Sequence, residues 1–201
     1  TGAAYNDEDV ADATKVTVSG LAIGSIAGNK GSQASDYVLN ETSQEVSAVI
    51  GKRTLTLRGG KEYDGTANLT GYLSLGNLVG TEELQYTATA SDAHVATVGK
   101  YVSGITLSDD SASGGLAGNY EAPGLTVSQT GVNTVTISAA TLTPTLTNSA
   151  VSKTYDGTTE ATGFTPTWSY AGLASGDTGA TLTSTGAAYN DEDVADATKV
   201  T

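Results

Sequence analysis

The sequence predicts an all-β protein, or nearly so, made of tandem β-sandwich or grasp-like modules arranged as an elongated array. Three observations carry that expectation. Apolar and polar residues alternate with period two over many short segments. Gly, Asn and Asp cluster between those segments, where turns need them. The chain also repeats itself: Thr1–Thr17 and Thr185–Thr201 are the same seventeen residues, TGAAYNDEDVADATKVT, 184 positions apart.

Taken along the chain, the expected strands begin with Lys15-Val-Thr-Val-Ser19 and Thr54-Leu-Thr-Leu-Arg58. Glu83-Leu-Gln-Tyr-Thr-Ala-Thr89 and Tyr101–Leu107 follow, then Leu125–Ser128, Thr134-Val-Thr-Ile-Ser138 and Thr141–Thr147. Each puts Val, Leu or Ile on one face and Thr or Ser on the other, as a half-buried strand requires. No segment shows a helical period, and abundant Thr and Gly weaken helices further. Pro144 and Pro166 fall in strand-like runs, which places those strands at edges or bulges. Six to eight strands are expected per module, around a thin core of Leu, Val, Ile, Ala and Tyr.

A second repeat lies within the first. Lys61-Glu-Tyr-Asp-Gly-Thr66 matches Lys153-Thr-Tyr-Asp-Gly-Thr158, and the two tyrosines are 92 positions apart, half of 184. Leu78–Glu82 pairs with Leu173–Asp177, Lys100–Ile105 with Lys15–Leu21, and Leu116-Ala-Gly-Asn-Tyr120 with Gln33-Ala-Ser-Asp-Tyr37. The 184-residue period therefore holds two diverged modules of about 90 residues, an ordinary size for a small domain. Residues 1–53 are the C-terminal half of one module, 54–140 a complete module, and 141–201 the N-terminal half of the next. Each half is expected to be completed by residues outside the chain.

Composition narrows the function. The chain has no cysteine, which excludes disulfides and thiolate metal sites. Nine Lys and Arg against 22 Asp and Glu leave a net charge of −13, so nucleic acid is excluded as a partner and anionic membrane is disfavoured. No apolar run approaches the length of a membrane span.

The Lys-x-Tyr-Asp-Gly-Thr-x-x-Ala/Leu-Thr-Gly motif at Lys61–Gly71 and Lys153–Gly163 precedes Leu-x-x-Gly-Asp/Glu and Ala-Gly-Asn-Tyr. In that order the motifs resemble the YDG repeat family of large bacterial surface proteins, many of them similar to filamentous-haemagglutinin-type adhesins exported by two-partner secretion. The resemblance covers the whole chain. It implies a stalk or adhesin repeat, extracellular and at the bacterial surface, as in biofilm matrix, and it supplies no ligand. Ala34-Ser-Asp-Tyr37 departs from the Ala-Gly-Asn-Tyr pattern.

Individual residues divide between structure and chemistry. Tyr63-Asp64-Gly65 and Tyr155-Asp156-Gly157 read as structural turns, with Gly at positive φ, Asp bonding the local backbone, and Lys61 or Lys153 covering the ring or pairing with an acid. A motif present in every module suits a turn better than a sugar contact. The acidic run Asp7, Glu8, Asp9 and Asp12, repeated at Asp191, Glu192, Asp193 and Asp196, is the candidate Ca2+ site, since Ca2+ takes six to eight oxygens. Its alternative is a solvated acidic loop, and its spacing is not that of an EF-hand. Asp109 and Asp110, with Ser111 and Asn119, form a weaker candidate of the same kind. His94 beside Asp92 and Ser91 lacks a nucleophile pattern. Trp168 and Tyr170 could stack on a sugar but more often such aromatics pack on a sheet.

These readings converge on a non-enzymatic spacer that projects a distal binding domain, with neighbouring repeats as its partners. No cofactor beyond Ca2+ is expected. Two alternatives remain open: a repeat that self-associates with like subunits into a fibre, and a weak multivalent module for glycan or host surface.

Overall fold

The computed structural model describes residues 2–201. The protein is nearly all β, in several small sheets with no closed barrel, and its only helical elements are 3-10 turns at Ala34–Asp36 and Ala117–Asn119 among the described residues. No helix is long and apolar enough to cross a membrane among the described residues.

Contacts divide the chain into two compact units. The first holds Thr1–Gly60, Ala67–Asp92 and Thr97–Thr136; the second holds Lys61–Thr66, Ala93–Ala96 and Ile137–Thr201.

In the first unit, β1 (Gly2–Tyr5), β2 (Lys15–Ser19) and β3 (Ser43–Ser47) form an antiparallel sheet in that order. The pairing sets Tyr5 opposite Val16 and Val16 opposite Val46. Next, β4 (Arg53–Thr54) pairs in parallel with β9 (Tyr120–Glu121). β5 (Thr56–Glu62) lies between β6 (Leu73–Gly76) and β10 (Asn133–Ser138), and β7 (Gln85–Ala90) pairs antiparallel with β8 (Val102–Ser108).

Period-two alternation builds the core. Leu55 and Leu57 point inward from β5 and its approach, and Asn133 and Val135 from β10. Leu69, Leu84, Ala88, Val102 and Tyr120 complete it. Gly59 occupies the inward position between Leu57 and Lys61. A Cβ there would meet Val135 Cγ2 at 3.0 Å and Leu69 Cδ1 at 3.1 Å, so the missing side chain lets β5 approach its neighbours. Among the described residues, every buried apolar residue except Ala13 lies between Leu55 and Ile137.

Asn133 is fully buried and acts as a polar clasp. Its Oδ1 accepts from the Val102 amide at 2.8 Å, while Nδ2 donates to the Val102 carbonyl at 3.1 Å and the Gly124 carbonyl at 3.0 Å. The clasp also explains a departure from expectation. Leu125–Ser128 forms no strand but bends at 125–127, because Gln129 and Asn133 bond each other's backbone and turn the chain back beside Gly124.

The second unit contains β11 (Thr143–Leu146) and β12 (Trp168–Ala171), an antiparallel pair in which Pro144 faces Tyr170. A two-stranded ribbon has only edges, which tolerates the missing proline N–H. Pro166 lies outside the strands. None of residues 141–201 is buried.

Candidate functional site

The acidic run is a loop closed by one asparagine. Asn6 Oδ1 accepts from the Thr14 and Lys15 amides, both at 2.9 Å, and Asn6 Nδ2 donates to the Asp12 carbonyl at 2.9 Å. Inside this bracket, Asp7 Oδ1 accepts the Asp9 amide at 2.8 Å, and the Asp9 carbonyl accepts from Asp12 and Ala13. Asx-type bonding of this kind is local, so the sequence alone can specify it.

The second copy proves that point. Asn190 Oδ1 accepts from Thr198 at 2.9 Å and Lys199 at 2.8 Å, Nδ2 donates to the Asp196 carbonyl at 3.0 Å, and Asp191 Oδ1 accepts the Asp193 amide at 2.9 Å. Residues 190–199 thus repeat the loop of residues 6–15, although regular strands flank only the first copy.

Within each loop three carboxylates converge. One oxygen each from Asp7, Asp9 and Asp12 lie within 4.8 Å of one another, and Asp191, Asp193 and Asp196 do the same. Glu8 and Glu192 stand outside these groups among the described residues. Three monodentate oxygens suit a hard cation whose remaining ligands are water.

The first loop also meets a distant surface. Asn119 Nδ2 donates to Asp9 Oδ1 at 2.7 Å, and Asn119 Oδ1 accepts the Val10 amide at 2.8 Å. These residues are 110 and 109 positions apart. Asn119 ends the 3-10 turn at Ala117–Asn119, and the residue after it, Tyr120, is buried. The Tyr120 hydroxyl accepts the Val79 amide at 3.0 Å and donates to Glu82. Burial and the Glu82 carboxylate hold that phenol above its ordinary pKa. A cleft of about 480 Å³ beside this contact is lined by residues that include Asp9, Val10, Ile50, Arg53 and Asn119.

Sequence comparison within the chain aligned Asn119 with Asp36, but nothing in the spacing joined it to Asp9. Asp109 Oδ1 instead caps the Ala117 amide at 2.7 Å, and Asp110 is held by Ser113, which lowers its pKa. The Asn amide donates to a carboxylate and accepts from a backbone amide at once, which an ionised Asp cannot do. At the corresponding 3-10 turn, Asp36 spends its carboxylate on the Gln33 amide at 2.8 Å.

The Lys-x-Tyr-Asp-Gly-Thr motif is also built twice. Lys61 Nζ contacts Asp64 Oδ1 at 2.6 Å and Thr66 Oγ1 at 3.0 Å; Lys153 Nζ contacts Asp156 Oδ1 at 2.8 Å and Thr158 Oγ1 at 3.1 Å. The aspartates accept the Thr66 and Thr158 amides at 2.9 and 3.0 Å. Gly65 and Gly157 take φ of 83° and 71°, which favours glycine. Lys61, with the Thr66 amide, pulls the Asp64 carboxyl down to about 2. Lys153 and the Thr158 hydroxyl lower Asp156 likewise. The Lys61 side chain is 2% exposed against 23% for Lys153, so one brace is buried and the other wet.

The remaining candidates are packing residues. Tyr63 stacks on His94 at 6.1 Å with rings 27° apart. Lys153 Nζ sits 5.5 Å from the Tyr189 ring centroid. Trp168 and Tyr170 are half-buried on β12, where the Tyr170 hydroxyl donates to the Ala180 carbonyl.

No family model, curated protein or solved structure matches the chain.

Proposed function

We propose that the chain is a spacer repeat of a bacterial extracellular adhesin or matrix filament, secreted to the cell surface, where it projects a distal binding domain. One observation carries this reading. The loop closed by Asn6 belongs to one half-module, and its Asp9 and Val10 bond Asn119 in the module that follows. That loop's sequence recurs 184 residues later. A repeat that includes its own junction lengthens by simple addition.

The acidic, cysteine-free composition supports an extracellular filament that stays soluble by self-repulsion. The resemblance of the Lys-x-Tyr-Asp-Gly-Thr motif to YDG repeats supports the bacterial surface. Both motif copies spend their polar atoms on internal bonds, which suits a wall better than a reactive site.

Small-angle scattering on one, two and three periods joined in phase tests the proposal. The maximum dimension should grow in equal steps; a dimension that stops growing would sink the spacer. Specific signal on a glycan array would favour the multivalent binding module, and concentration-dependent filaments in electron micrographs the self-associating fibre.

A further inference from the structure

The two copies of the loop differ in one respect: only the first is docked. Ala13 is 2% exposed and Val10 is half-buried, whereas Val194 is 77% exposed and Ala197 only half-buried. The Val10 amide is held by Asn119 at 2.8 Å. Among the described residues, the Val194 amide has no acceptor and the Asp193 carboxylate has no donor, although the loop around them is the same.

We propose that the loop Asp191–Asp196 is a docking element whose occupant is the Asn119 face of a second copy of this chain. The inference deepens the spacer reading and rests on it for the identity of the partner. It follows from an interface already present: identical residues in an identical conformation meet Asn119 through Asp9 and Val10. The chemistry is complementary. Asp193 and Val194 offer one acceptor and one donor, and Asn119 offers one donor and one acceptor. Arg53, in the same cleft, adds a positive charge near an acidic loop.

The face also discriminates. Asp36 stands where Asn119 stands, at the corresponding turn of the other kind of module. A carboxylate accepts an amide but cannot donate to Asp193, and it repels it. The loop therefore favours the Asn119 type of face over the Asp36 type. Two hydrogen bonds and one valine are weak between separate molecules, but tandem linkage supplies the effective concentration that makes such contacts persist.

Residue-resolved amide exchange tests this on the 201-residue chain and on a tandem in which Thr201 runs on into Val18 of a second copy, preserving the period. In the single chain Val10 should exchange slowly and Val194 fast. In the tandem Val194 should slow by at least about tenfold, toward the Val10 rate. Asn119→Asp in the second copy alone should return Val194 to fast exchange. Protection of the Val102 amide in that copy would show that the variant still folds. Val194 exchanging equally fast in both chains would overturn the proposal, as would protection that survives Asn119→Asp. An extended tandem with fast Val194 defeats docking alone, whereas a collapsed tandem with protected Val194 defeats the spacer alone.

Discussion

Asp9 and Asn119 are 110 residues apart in sequence and 2.7 Å apart in space. The amide donates to the carboxylate and accepts the neighbouring Val10 N–H, so both of its functional atoms are used in one direction. Asn119→Ala should cost about 1–2 kcal/mol, the loss of two hydrogen bonds at a partly solvated site. Asn119→Asp should cost more, because a second carboxylate faces Asp9, and high salt should recover part of the difference. Urea melts at low and high ionic strength measure both. Equal stability of the Ala and Asp variants at low salt would count against the geometry described.

The two braces predict unequal mutants. Asp64→Asn removes the carboxylate from the buried Lys61 ammonium, which keeps the Thr66 hydroxyl; with Asp64 47% exposed, solvent screening holds the loss to about 1 kcal/mol. Asp156→Asn should cost less, because Lys153 is more exposed and also reaches the Thr158 and Glu160 carbonyls. Thermal melts of the two variants at neutral pH give the comparison; equal losses would contradict it.

Acid should weaken the protein in a defined window. Asp64 titrates near 3.8 when unfolded and near 2 when folded, so its contribution is complete above about pH 4 and is lost as pH falls toward 2. With its carboxyl 47% exposed, solvent screening reduces the contribution to about 1 kcal/mol. Asp156 and Glu45, each lowered by its lysine, act in the same sense. Denaturant melts between pH 5 and pH 2 should show a shallower acid slope for Asp64→Asn than for the parent, and parallel slopes would remove Asp64 from the account.

Asn133 should be the most sensitive polar position in the core. Asn133→Leu leaves the Val102 amide and carbonyl unpaired in a buried site and should cost about 3 kcal/mol or more. Equilibrium unfolding measures the loss, and fast exchange of the Val102 amide in the variant would locate it.

Ca2+ has a clear signature at the acidic loops. Three carboxylates within 4.8 Å of one another repel, and a cation relieves that repulsion. At 10 mM Ca2+ and an affinity typical of extracellular modules, stabilisation should be roughly 1.4–2.7 kcal/mol, removed by chelation and weakened by Asp12→Asn. A melt unchanged by chelator would exclude the ion.

Much of this was legible from residue order because it is local. Alternating Val, Leu and Thr built β2, β8 and β10 where expected, and Asp-Gly-Thr built the same turn at Gly65 and Gly157. The altered Ala34-Ser-Asp-Tyr37 still forms the 3-10 turn seen at Ala117–Asn119, since Asp36 supplies its own cap. Leu125–Ser128 misled because its alternation is genuine, but Asn133 claims the Gly124 carbonyl and turns the segment away.

By itself, the sequence determined the β class, the 184-residue period and the shape of each loop, since those depend on alternation and on bonds between residues a few positions apart. Only the tertiary structure decided which polar residue is buried, which lysine is wet, and which copy of the loop has a partner. Those outcomes depend on groups far apart in the chain. Asn119 reaches Asp9, and Asn133 reaches Val102, only after the strands between them have paired.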